Sequence, residues 1–165
     1  MILRAVLCCL ALCVAVASPA RADDCDALTA RLIRGTGASL AGRTGPLVVF
    51  RAADAERMSL DCGPPRRMVF RSRDREPPRF YFVLIGLAAK TLAGAGSDRV
   101  EILAMNLHQA ALLSGEPQLG RVGGAVLRFE PGDHLDGASE GALCRLAVAR
   151  KPRHKAGLSA SAVPA

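Results

Sequence analysis

The sequence predicts an α+β fold: a small antiparallel sheet of about five strands with helices on one face, in the order α-βββ-αα-ββ. Three observations predict it. Three short β-rich runs follow a first amphipathic helix, and two more runs close the chain. Between the two groups lie two helical segments separated by Gly94-Ala95-Gly96. Consecutive strands joined by short turns pair antiparallel, and helices grouped in one block cover one face of the sheet.

Residues 1–22 are expected to stand outside this fold. Met1 to Arg4 carries one positive charge, Ala5 to Ala17 is an apolar run, and Ser18-Pro19 breaks it ahead of Ala20-Arg21-Ala22. That order reads as a cleaved secretory signal peptide. The run of 13 residues from Ala5 to Ala17 is shorter than the roughly 20 that a spanning helix needs. Export places the protein in the periplasm or outside the cell, with no transmembrane anchor after cleavage. Residues 23–150 then form a single α+β domain, and residues 151–165 a disordered basic tail.

Setting the leader aside changes the arithmetic. The whole chain has 165 residues, six Cys and a formal charge of +7. Cys8, Cys9 and Cys13 leave with the leader, as do Arg4 and Arg21, so the charge falls by two to +5. Cys25, Cys62 and Cys144 remain. One disulfide plus one free thiol is the simplest arrangement for three Cys in an exported chain. Cys25–Cys62 closes the shortest loop and ties the first helix to the first hairpin. Cys144 is then expected as a buried free thiol behaving as a small hydrophobe.

The elements follow in order. Asp24-Cys25-Asp26 offers an N-cap, Cys25, Leu28, Thr29 and Leu32 recur at helical spacing, and Gly35 is a stop. Gly35 to Pro46, with four Gly and one Pro, reads as a loop with one helical turn at Ala38 to Ala41. Leu47-Val48-Val49-Phe50 is a strand. After a turn at Ala53 to Glu56, Met58, Leu60 and Cys62 alternate with polar residues and make the second arm of a hairpin. Met68-Val69-Phe70 is a third strand.

Pro77-Pro78 marks a helix start. Phe80 to Ala89 is almost uniformly apolar, as a buried helix is. Asp98 and Glu101 have the spacing of a capping box with Asp98 as N-cap, and Val100, Leu103, Leu107, Ala110 and Ala111 share one face. Gly115 to Gly124 reads as a polar connection. Ala125 to Phe129 is the fourth strand, Glu130 to Gly141 an acidic loop, and Leu143 to Ala149 the fifth strand. Short α+β domains of this order resemble, in topology, the secretion-chaperone type of fold, an analogy that carries no function.

The candidate chemistry starts with arginine. Arg66, Arg67, Arg71, Arg73, Arg75 and Arg79 fall within fourteen residues, and the chain holds 19 Arg against 3 Lys. Guanidinium forks bind phosphate and carboxylate bidentately, so Arg66, Arg67, Arg71 and Arg73 form a candidate anion-binding segment. Its partner would be an anionic envelope component or an acidic protein surface. The same excess is also what a composition biased to Arg, Ala and Gly produces. Nucleic acid is a poor partner, because only Phe70, Phe80 and Tyr81 lie near the cluster for stacking.

The acidic loop offers Glu130, Asp133, His134, Asp136 and Glu140, at a spacing that is not an EF-hand's. No H-E-x-x-H or C-x-x-C pattern occurs among His108, His134, His154 and the cysteines, so neither a metal nor a cofactor is expected. Pairing Cys144 with His108 as nucleophile and base is opposed by the apolar strand around the thiol. Gly35 to Ser39 lacks the G-K-[ST] ending of a phosphate loop, and no serine sits in a G-x-S-x-G elbow. The expectation is a small exported binding or accessory protein of the cell envelope without enzymatic activity. The alternative is an envelope hydrolase or transferase with a site assembled around His108, which requires His108 and a carboxylate or Arg to line one pocket.

Overall fold

In the computed structural model, the structure describes residues 20–131 and 141–149, with side chains from Asp24 onward. The leader up to residue 19, the loop residues Asp133, His134, Asp136 and Glu140, and the tail with His154 lie outside the described residues. The chain runs α1 (Ala20–Thr36), β1 (Ser39–Thr44), β2 (Leu47–Ala52), β3 (Ala55–Asp61), β4 (Arg67–Arg71), α2 (Arg79–Ala93), α3 (Ser97–Ser114), β5 (Gln118–Val122), β6 (Ala125–Glu130) and β7 (Leu143–Val148). The α+β class and the helix–strand order are as the sequence predicts. The sheet has seven strands rather than five, all antiparallel, in the order β1-β2-β3-β4-β7-β6-β5.

The two unforeseen strands are the edges. Ser39–Thr44, expected as a loop with a helical turn, pairs with β2 through a two-residue turn at Gly45-Pro46, where Gly45 takes φ 56°. Its side chains are almost all exposed, so no buried face imprints an alternating pattern on its sequence. Gln118–Val122, expected as a polar connection, pairs with β6. Its central Gly120 lies under α3, where an added Cβ would come within 2.9 Å of Leu107 and 3.0 Å of Leu103. The glycine that makes the segment look like a loop is what lets the helix rest on the strand.

Two cap assignments also change. Helix α1 begins upstream of Asp24 and ends at Thr36, where Gly37, not Gly35, takes positive φ and returns its N–H to Ile33. The N-cap of α3 is Gly96; Asp98 sits in the first turn and accepts from the Ser97 hydroxyl, while Glu101 reaches across to Arg79.

One face of the sheet carries the core. Val48, Phe50, Met58, Leu60, Met68, Phe70, Leu127, Phe129, Cys144 and Leu146 alternate inward from five strands, and the helices supply Leu28, Leu32, Tyr81, Ile85, Ala88, Val100 and Ala104. Tyr81 is fully enclosed because its hydroxyl donates to the Phe70 carbonyl at 3.0 Å. Helix α2 ends at Gly94 in the left-handed region, and α3 folds straight back against it. The close approach requires Gly86, where a Cβ would stand 2.6 Å from the Ser97 carbonyl oxygen. Cys25 and Cys62 form the expected disulfide, with Cα atoms 5.8 Å apart, and Cys144 is the buried free thiol. Among the described residues no helix is long and apolar enough to cross a membrane.

Candidate functional site

Two features stand apart from the packing: the open face of the sheet and a groove at His108.

The register places the outward residues of four strands in rows. Arg57 on β3 stands opposite Arg71 on β4. Arg145 on β7 stands opposite Arg128 on β6. Arg67 stands opposite Asp61, and Arg121 extends the lower row onto β5. Neighbouring strands are about 4.8 Å apart, so the members of each directly opposed pair, Arg57 with Arg71 and Arg128 with Arg145, are set side by side by the backbone. Like charges directly opposed across a ladder destabilise it. Glu130 offsets one pair by forming ion pairs with both partners, Arg128 at 2.9 Å and Arg145 at 3.2 Å. Asp61 holds Arg67 at 3.2 Å. Val69, Val126 and Ala147 form a half-buried apolar floor between the charges.

The four arginines singled out in the sequence do not converge on one point. Arg67 and Arg71 share the open face. Arg66, in the preceding loop, approaches Asp24 at 3.6 Å. Arg73, in the loop after β4, pairs with Glu56 at 3.2 Å, and Glu56 is also 3.9 Å from Arg71. The sequence missed Arg57, Arg121, Arg128 and Arg145. Each is one arginine in its own strand, and only the order of the strands collects them.

The groove lies between the Arg75-Glu76-Pro77 loop, the first turn of α2 and the second half of α3. It encloses about 750 Å³ and is lined by apolar Phe82, Met105, Leu112 and Leu113, by His108, and by Arg75, Glu76, Arg79 and Gln109. Val100, Ala104, His108 and Ala111 make the buried stripe of α3, so the histidine occupies a core position. Its ring is wedged between Phe82 and Phe129, with centroid separations of 5.5 and 5.7 Å. Only 6% of His108 is exposed, and its Nε2 has no hydrogen-bond partner among the described residues. An unsatisfied buried polar atom costs about 1–3 kcal/mol. Burial pushes the imidazole below its ordinary value, outweighing the Arg75 carbonyl and the Glu76 carboxylate, which favour the charged ring. The ring is therefore neutral at pH 7.

His108, on the buried stripe of α3, shares its groove with one carboxylate and two guanidinium groups. Among the described residues no hydroxyl or thiol lines that groove. Cys144 is sealed in the core, where burial raises its thiol well above the ordinary value, so it is no nucleophile for His108. Among the described residues no three His, Cys, Asp or Glu side chains are grouped to hold a metal ion. The chain matches no protein-family model, no curated protein and no solved structure.

Proposed function

We propose that the protein is an exported, non-enzymatic binding protein that holds an anionic component of the cell envelope against the open face of its sheet. The observation that supports this reading is the double opposition of Arg57 to Arg71 and of Arg128 to Arg145. A sheet face that needs only to be wet is served by hydroxyls or by alternating charges. Stacking guanidinium groups opposite one another works against the ladder; Glu130 and Glu56 offset part of that charge from within, and an anion lying across the face adds bidentate hydrogen bonds to the guanidinium faces that remain. Compositional bias raises the number of arginines but does not place them in register. Export is supported by the leader pattern of residues 1–22 and by the Cys25–Cys62 disulfide, a bond that persists in oxidising compartments.

The test is co-sedimentation with phosphatidylglycerol vesicles and with neutral phosphatidylcholine vesicles. Binding to the anionic vesicles alone, lost as salt rises, is the expected result. Equal partition to both, or none to either, contradicts the proposal.

A second reading, a hydrolase using His108 as general base, is favoured by one observation: His108, Glu76, Arg75 and Arg79 share a groove. Turnover of a panel of esters and phosphoesters, abolished in His108→Gln, is its test.

A further inference from the structure

The groove at His108 is separate from the arginine face and has the features of a ligand site in its own right. Its volume of about 750 Å³ falls within the roughly 300–1,000 Å³ of small-molecule sites, which are mostly apolar with a few converging polar groups. Phe82, Met105 and Leu112 supply the apolar wall. At the mouth Leu113 is 90% exposed, an apolar side chain left in water at the edge of an apolar hollow.

The polar groups gather at one side. Arg75 has no ion pair among the described residues and is exposed. Arg79 is anchored through Nε to Glu101 at 2.8 Å, which leaves its terminal nitrogens for a second acceptor. His108 brings a buried nitrogen with no partner. Glu76, on the same rim, opposes a second negative charge on whatever binds.

We infer that this groove binds a small amphipathic monoanion, an apolar chain ending in a carboxylate. The chain lies along Phe82, Met105, Leu112 and Leu113, and the carboxylate accepts from the guanidinium groups of Arg75 and Arg79. The neutral ring's one N–H is taken by the Arg75 carbonyl, so Nε2 offers only a lone pair and the guanidinium groups alone hold the carboxylate beside the ring. Two cations facing one carboxylate set the preferred charge at minus one.

Calorimetry with dodecanoate below its micelle-forming concentration tests this. Saturable one-to-one binding is expected, with dodecyltrimethylammonium at least tenfold weaker. Arg75→Ala/Arg79→Ala should weaken dodecanoate by about tenfold or more, since charge-assisted hydrogen bonds are lost. Loss of Arg79 leaves the mostly enclosed Glu101 carboxylate without its ion-pair partner, so Arg75→Ala alone, which breaks no ion pair among the described residues, is the variant that should melt with the wild type while still binding dodecanoate more weakly. The His108 ring resonances should shift on binding, a signal absent in His108→Gln. Arg67→Ala/Arg71→Ala should bind dodecanoate as the wild type does, which separates this site from the sheet face. Equal binding of the cationic amphiphile, tighter binding of dodecyl phosphate, or an unmoved His108 signal would each overturn the assignment.

Discussion

Arg128 and Arg145 stand opposite one another on adjacent strands, and both reach the single carboxylate of Glu130, at 2.9 and 3.2 Å. Glu130 is largely enclosed while both arginines are about half exposed. The carboxylate is the local counter-charge for a repulsive pair. Glu130→Gln should destabilise the fold by about 1 kcal/mol after allowing for solvent screening. The loss should be smaller in high salt, where the Arg–Arg repulsion is screened. Urea unfolding at low and high ionic strength measures both. A loss that does not depend on salt would mean that the pair is not repulsive.

Gly86 fixes the helical hairpin. A methyl group there meets the Ser97 carbonyl at 2.6 Å, which is backbone and cannot swing aside. Gly86→Ala should therefore cost about 1–3 kcal/mol by overpacking, although alanine is the better helix former. An unchanged or raised Tm would show that α2 and α3 are not held this closely.

His108 makes stability depend on pH. Its folded value lies below the ordinary 6.5 because the ring is buried, and Arg75, Glu76 and Arg79 are the charged groups that share its groove. Between the folded and the unfolded values the unfolded chain binds more protons. Stability should thus fall as pH drops through about 6.5 and level off below the folded value. His108→Phe should remove that segment of the pH profile. A wild-type profile flat across this range would contradict the burial of the neutral ring.

The disulfide closes a loop with a sequence separation of 37. Replacing Cys25 and Cys62 with Ala should cost on the order of 3–4 kcal/mol. Non-reducing peptide mapping should recover a Cys25–Cys62 peptide; one joining Cys144 to either partner would refute the connectivity.

Much of the fold was legible because buried strands and helices leave periodic traces. Met58, Leu60 and Cys62 alternate, and Pro77-Pro78 and Gly94 bracket α2. The edges β1 and β5 left none, since β1 buries almost nothing and β5 carries a glycine under α3. The arginine face was half legible. Arg67 and Arg71, four residues apart, declare a shared side of one strand, and the β3–β4 hairpin brings Arg57 beside them, but their alignment with Arg128 and Arg145 depends on β4 pairing with β7 across the helical hairpin. His108 could have been placed from Val100, Ala104 and Ala111, which set its position on the buried stripe. The groove beside it could not, because it is closed by a loop brought up from β4.

The central claim is that the open sheet face binds anions. Its most direct measurement is the affinity of Arg67→Ala/Arg71→Ala for phosphatidylglycerol vesicles at low salt, beside its Tm. At about 1 kcal/mol per arginine near an anionic surface, binding should weaken about thirtyfold. The Tm should hardly move, since surface substitutions stay within about 0.5 kcal/mol. Affinity equal to the wild type, with the fold intact, would contradict the account.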